Sequence, residues 1–245
     1  MRVLFPLIIT ICIVFCFPSC RSVYKPNAVN VPLLKEKGEA KFYLSNNNLQ
    51  VAYAISSNTG LMLNGYYEKH QEDFNNDDYI QNRGILGEAG AGLFKTYENK
   101  LTVECYGGAG YGKLKIRERD TDENEVAIQK DFSADAYKLF IQPSAGYAGR
   151  IFEIAITPRF SAIKYANVAS SNYTIQENNE YYFENMEKPL WLFAEPALTL
   201  RGGFKWFKLQ VQVGRSFRLN EKKLNNNGSL LNAGVVIDIA KWYND

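Results

Sequence analysis

From residue 39 onward, apolar and polar residues alternate with period two along most of the chain. Phe207, Leu209, Val211 and Val213 alternate with Lys208, Gln210, Gln212 and Gly214. Phe152, Ile154, Ile156, Pro158 and Phe160 do the same against Glu153, Ala155, Thr157, Arg159 and Ser161. Leu190, Leu192, Ala194, Pro196, Leu198 and Leu200 face away from Trp191, Phe193, Glu195, Ala197, Thr199 and Arg201. Residues 101–111 and 137–147 repeat the pattern, and 49–55, 61–68, 84–95 and 230–239 carry it more weakly. Successive side chains of a strand point to opposite faces, so this period predicts strands with two unlike faces. No stretch of the region sustains a helical period. The chain is expected to be all-β.

The connections fall into two sets. Short turns near 56–60, 96–100, 149–150 and 202–203 alternate with long polar loops near 69–83, 117–133, 168–188 and 218–229. Tight turns at one end and long loops at the other are the pattern of an up-and-down antiparallel β-barrel, and barrels of the outer membrane show the same asymmetry. These connections join nine strands. A further strand near 39–45, returning through Asn46-Asn47-Asn48, makes ten and puts both ends of the wall at the short-turn end. Eight strands is the alternative if that first hairpin stays out of the wall.

Residues 1–19 read as an export signal: Met1-Arg2, then an apolar run from Val3 to Phe17 broken only by Pro6 and Thr10. Such a run is short for a transmembrane helix and typical of a signal peptide. It ends in Phe17-Pro18-Ser19-Cys20. A small residue directly before a Cys at this place resembles the lipobox of bacterial lipoproteins, although Phe17 and Pro18 stand where that motif usually has Leu and a small residue. The resemblance implies acylation of Cys20. Without it, the residues describe a plain signal peptide cleaved elsewhere, with Cys20 an incidental thiol. The stretch Tyr24-Lys25-Pro26-Asn27-Ala28-Val29-Asn30-Val31-Pro32-Leu33-Leu34-Lys35-Glu36-Lys37-Gly38-Glu39 resembles the segment joining acylated Cys to barrel in uncharacterised Bacteroidetes-type outer-membrane β-barrel lipoproteins. That likeness covers residues 1–70 and implies an architecture without an activity. The expected organisation is a signal peptide over 1–19, acylated Cys20 with a tether over 20–38, and a barrel over 39–245; both wall ends at the short-turn end suit an anchor in the inner leaflet, and the sequence leaves open which leaflet holds it.

Of four Cys, Cys12 and Cys16 leave with the signal and Cys20 is acylated, so Cys105 remains alone and no disulfide forms within the mature chain. Sixteen Tyr, fifteen Phe and eighteen Gly favour strands and turns. A net charge of +2 gives no reason to expect a nucleic-acid partner.

Alternation alone fits a membrane barrel, apolar outside, and a soluble lipocalin-like barrel, apolar inside. Three features favour the first. The polar face is rich in small residues (Ala52, Ala54, Gly90, Gly92, Gly108, Gly110), which suits a narrow lumen. Charges of apolar parity (Lys95, Lys164, Arg215, Lys241) fall only near strand ends. Aromatics gather at both ends, as interfacial girdles do: Tyr97, Phe152, Phe204, Trp242 and Tyr243 at one, Tyr67, Tyr111, Tyr137, Tyr165 and Phe217 at the other. Against it stand Pro143, Pro158 and Pro196, each of which removes a ladder hydrogen bond and calls for a bulge or a rim position.

On the inward face Glu88, Glu104, Glu153 and Glu195 meet Lys138, Arg159, Arg201 and Lys208. Ion pairing into a structural network is expected, because an unpaired buried charge is far more costly than a paired one; a proton or ion path is the functional alternative. No catalytic residue, metal or cofactor is expected. His70, the single His, lies beside Glu72 and Asp73, and a hard-cation site using these with Asp77 and Asp78 is outweighed by a solvated polar loop. Gly107 to Gly112 is no phosphate loop, since no helix follows. Cys105 is expected as a buried, inert thiol on the apolar face.

The sequence thus points to a small, lipid-anchored β-barrel in the outer membrane of a Gram-negative bacterium. It is expected to be monomeric, with outer-membrane lipid around it and its loops as a structural or surface-interaction face. A soluble lipocalin-like barrel binding an apolar ligand is the alternative. A lipid-modifying barrel enzyme is a further one, which needs a Ser near His70.

Overall fold

The computed structural model describes residues 23–74, 78–97, 100–121, 126–174, 176–177, 183–220 and 228–240. Its strands are β1 (Ala40–Ser45), β2 (Asn48–Ala54), β3 (Thr59–Asp73), β4 (Tyr79–Thr96), β5 (Leu101–Thr121), β6 (Ala127–Ala148), β7 (Phe152–Ser171), β8 (Trp191–Gly203), β9 (Phe207–Arg215), β10 (Phe217–Arg218) and β11 (Ser229–Ile239). All pairings are antiparallel. β1 to β9 follow one another around the wall, β11 lies between β9 and β1, and the β8–β9 and β1–β11 pairings close the ring. The result is an up-and-down barrel of ten strands, with β10 an extra two-residue strip on β8.

The expected loops 69–83 and 117–133 are mostly strand. β3 and β4 pair continuously from Thr59↔Leu93 to Asp73↔Tyr79, and β5 and β6 from Leu101↔Tyr147 to Thr121↔Ala127. Polar side chains hid this, because backbone pairing continues regardless of what the side chains face. On the opposite side the wall is low. The β1–β2 hairpin turns at Asn46-Asn47 and leaves a notch between β3 and β11, floored by hydrogen bonds from Asn232 Nδ2 and Asn48 Nδ2 to Asn47 Oδ1 (2.9 and 2.6 Å).

Side-chain parity sorts the wall sharply. Outward stand Leu63, Leu93, Leu139, Ile156 and Leu209, each 60–63% exposed, while Glu88, Lys138, Arg159 and Glu195 are buried inside. Tyr106 crosses the lumen over Gly60 and Gly92, where a Cβ would lie 2.4 Å from its hydroxyl and 2.6 Å from its ring. Tyr165 departs from its expected place in the girdle. It points inward and packs at the long-loop end with Ile80, Ile116, Phe132, Phe183, Met186, Trp191 and Phe193. Trp242 and Tyr243 lie outside the described residues.

The three prolines are neither at bulges nor at a rim. Pro158 pairs with Pro196, Pro143 pairs with Cys105, and the β6–β7 ladder is interrupted between Ile141↔Phe160 and Ala145↔Ile156. The prolines thus line up across β6, β7 and β8, where their missing N–H groups fall together. On the inner side Ser144 Oγ and Thr157 Oγ1 bridge the gap at 2.7 Å. Cys105 is exposed on the outer face of this row, not buried.

The largest departure concerns the expected tether. Residues 23–34 run inside the barrel, with Ala28, Val31 and Leu34 fully enclosed. Val23 and Tyr24 join the aromatic cluster at the long-loop end, and Leu34 packs near the short-turn end with Ala52, Ala54, Phe94 and Tyr106. The chain therefore enters at the long-loop end, traverses the lumen and only then starts β1. The described chain thus begins at the long-loop end, opposite to the short-turn end from which the tether was expected to lead.

Candidate functional site in the barrel lumen

An extended segment with no strand beside it must find partners for every buried N–H and C=O. The wall supplies them as side chains. Gln212 serves both groups of Val29, accepting its N–H at 2.8 Å and donating to its carbonyl at 2.9 Å. Gln50 donates to Ala28 O (2.8 Å), Gln142 to Asn30 O (2.6 Å), Arg159 to Asn27 O (3.0 Å) and Arg201 to Val31 O (2.7 Å). Asn48 Oδ1 accepts from Ala28 N, and Glu104 Oε2 accepts from Leu33 N at 2.9 Å. These inward amides were not singled out from the sequence. Their signal was the repeated Gln at inward parity, visible at Gln210 and Gln212, which had no meaning until a backbone lay opposite.

All eight charged residues of the expected network face inward, and they divide into two groups. Nearer the long loops, Glu88 meets Lys138 (2.9 Å) and Arg159 (4.0 Å), and Glu195 meets Arg159 (2.8 Å) and Lys138 (4.0 Å). The luminal segment enters this group directly. Asn27 donates to Glu88 and accepts from Lys138 (2.9 and 3.0 Å), and the Tyr24 hydroxyl donates to Glu195. Ser161 donates to Glu195 and Asn64 to Glu88.

Nearer the short turns, Glu153 meets Arg201 (2.8 Å), Lys208 (3.0 Å) and Lys41 (3.4 Å), while Asp238 meets Lys41 (3.3 Å) and Lys208 (3.5 Å). Glu39, just before β1, lies 3.6 Å from Lys41 and accepts the backbone N–H of Lys35 and Glu36. Glu39, Lys41 and Asp238 were missed because they lie in or beside short or weakly alternating strands. Glu104 departs from the expected pairing: among the described residues no cation lies within ion-pair distance, and the Leu33 N–H is its partner.

The arrangement fills the lumen and pairs most of its buried charges. Exposed His70 meets Glu72 at 3.0 Å on β3, and among the described residues no Ser is its partner. Among the described residues no group of three or more His, Cys, Asp or Glu is placed to hold a metal, and Asp77 lies outside them. Compared with protein-family models and with curated proteins, the chain has no match.

Proposed function

We propose that this chain is an outer-membrane β-barrel lipoprotein of a Gram-negative bacterium, with its lumen plugged by its own N-terminal segment and a structural or surface-interaction role. The observation that carries the reading is the inverted polarity of the wall: charges inside, and a continuous apolar surface outside with aromatic Tyr67, Tyr111 and Tyr137 towards one end and Tyr97, Phe152, Phe204 and Trp206 towards the other. A soluble barrel of this size would lose the hydrophobic effect of that outer surface, whereas lipid requires it. Along β5 the outward apolar stretch from Leu101 to Tyr111 covers ten residue steps, about 33 Å along the strand. At a tilt of about 40° that is about 25 Å, the height of an outer-membrane belt.

Cys20 stands three residues before Val23, within about 11 Å of chain, so its acyl chains belong in the leaflet at the long-loop end. Cell fractionation with unboiled gel electrophoresis tests the barrel: an outer-membrane protein that shifts on heating is expected. A Cys20→Ser protein that is soluble without detergent would overturn the membrane reading. Radiolabelled palmitate entering the wild type but not Cys20→Ser tests the anchor separately.

A further inference from the structure

Beyond the apolar belt, towards the long loops, the outward faces of β3, β4 and β5 carry Lys69, Arg83, Lys113, Lys115, Arg117 and Arg119. The register sets Lys69 beside Arg83 and Arg83 beside Lys115, so three exposed cations form one row across three adjacent strands. Neighbouring strands lie about 5 Å apart, and like charges directly opposite one another on a sheet repel. Lys113 approaches Asp135 at 3.9 Å and Arg117 bonds Asp131 at 2.9 Å. Among the described residues no carboxylate lies within ion-pair distance of Lys69, Arg83 or Lys115. A groove of about 470 Å³ opens at this row, lined by the cations Arg83, Lys113 and Lys115, by Tyr67, Ile85 and Asn167, and by one carboxylate, Asp135, which faces Lys113.

On the belt side of the row stands the rank Tyr67, Ile85 and Lys113, and beyond it the outer surface is thin. Gly65, Gly87, Ala89, Ala91, Gly107 and Ala109 leave a shallow trough between Leu61 and Leu63 on β3 and Leu139 and Ile141 on β6. Packing does not require these glycines. A Cβ at Gly87 would meet nothing within 4 Å, and at Gly65 or Gly107 nothing nearer than 3.9 or 3.7 Å.

Exposed cations that outnumber the nearby carboxylates Asp131 and Asp135, above an apolar trough, are complementary to an anion that carries its own apolar tail. We propose that the Lys69–Arg83–Lys115 row binds the phosphorylated headgroup of a lipid in the leaflet at the long-loop end, with an acyl chain lying in the trough. The inference rests on the membrane-spanning reading. The Arg83 guanidinium, at the centre of the row, suits bidentate contact with phosphate, and the flanking lysines add charge without fixed geometry. A bound phosphate offsets the mutual repulsion of the three cations.

The test uses the full-length protein in dodecyl maltoside, titrated with bis-phosphorylated lipid A and followed by native mass spectrometry. One lipid is expected to stay bound, with affinity falling about tenfold or more in a Lys69→Gln, Arg83→Gln, Lys115→Gln protein and falling likewise at roughly 0.5 M salt. Lys95→Gln, a cation at the short-turn end, is expected to bind as the wild type. The proposal is overturned if the triple variant binds unchanged, if lipid A stripped of phosphate binds equally well, or if millimolar inorganic phosphate displaces the lipid. Should the triple variant lose its heat-modifiable migration, Arg83→Gln alone gives the same comparison with a smaller loss. If the Cys20→Ser protein is soluble without detergent, the membrane reading fails independently, and the titration still reports on the row.

Discussion

The two luminal charge groups use the same chemistry for different ends. The group near the long loops joins β4, β6, β7 and β8 through Glu88, Lys138, Arg159 and Glu195, and besides Ser161 and Asn64 of the wall it binds Tyr24 and Asn27 of the luminal segment. The group near the short turns joins β7, β8, β9, β11 and β1 through Glu153, Arg201, Lys208, Asp238 and Lys41, across the seam where the first and last strands meet. It touches the segment mainly at the Val31 and Leu33 carbonyls. One group clamps the plug and the other closes the ring. Buried ion pairs add little net stability compared with apolar packing but specify which partners meet, because a mispaired buried charge is so costly. We suggest that register at the closure and position of the plug are what these charges select.

Removing the plug separates the two roles most strongly. Deletion of residues 23–34 strips partners from Gln50, Gln142, Gln212 and Arg201 at once, and the protein is expected to lose its heat-modifiable folded band. A deletion protein that migrates as the wild type would show that the wall stands alone. Next in size, Lys41→Met leaves Glu153 and Asp238 one cation short. Breaking such a buried set costs about 3–5 kcal/mol, read as a lower denaturant midpoint in micelles, with protection of the Asn27–Val29 amides from hydrogen exchange lost only on global unfolding. Asn27→Ala removes the bonds to Glu88 and Lys138 and should cost about 1–3 kcal/mol. Here exchange at residues 27–31 should quicken before the seam loosens; equal effects at both places would erase the distinction.

The smallest expected effect is on pH dependence. Burial raises the Glu39 carboxyl, against the attraction of Lys41, from 4.5 to about 7 at the short-turn rim. The folded state therefore holds a proton that the unfolded state has released over that interval, so this contribution is present in full below about pH 4.5 and is lost as pH rises to about 7. Glu39→Gln should flatten the stability profile between those values, measured by denaturant titration at several pH values; an unchanged slope would assign it elsewhere.

The wall was legible in the sequence for a simple reason. Strand parity is local, so Phe207 to Gly214 or Phe152 to Ser161 declare their faces without knowledge of their neighbours. Ten strands followed from counting connections once Ala40–Ser45 was admitted. The extent of β3 to β6 was not legible, because Lys69 to Asp73 and Arg117 to Thr121 are polar on both faces, buried Glu118 included, and period two vanishes when neither face is apolar. Tyr165 was placed among the rim aromatics by type and position, although its own parity pointed inward.

The luminal groups were half legible. Charges at inward parity on long strands could be gathered, but Glu104 was given a cation as partner when its partner is a backbone N–H. Nothing in the sequence distinguishes those cases, since a carboxylate at inward parity accepts from either.

What the sequence determined by itself is the two-faced wall: which side chains point in, which point out, and that the strands run up and down in turn. Only the tertiary structure decided where residues 23–34 go. That segment has no period and reads as a linker, and its partners lie far along the chain, as Val29 does from Gln212 and Asn27 from Arg159. A ring of inward amides and charges has no value as a pattern until it closes, and closure creates the narrow polar space that an extended backbone, rich in groups needing partners, can fill.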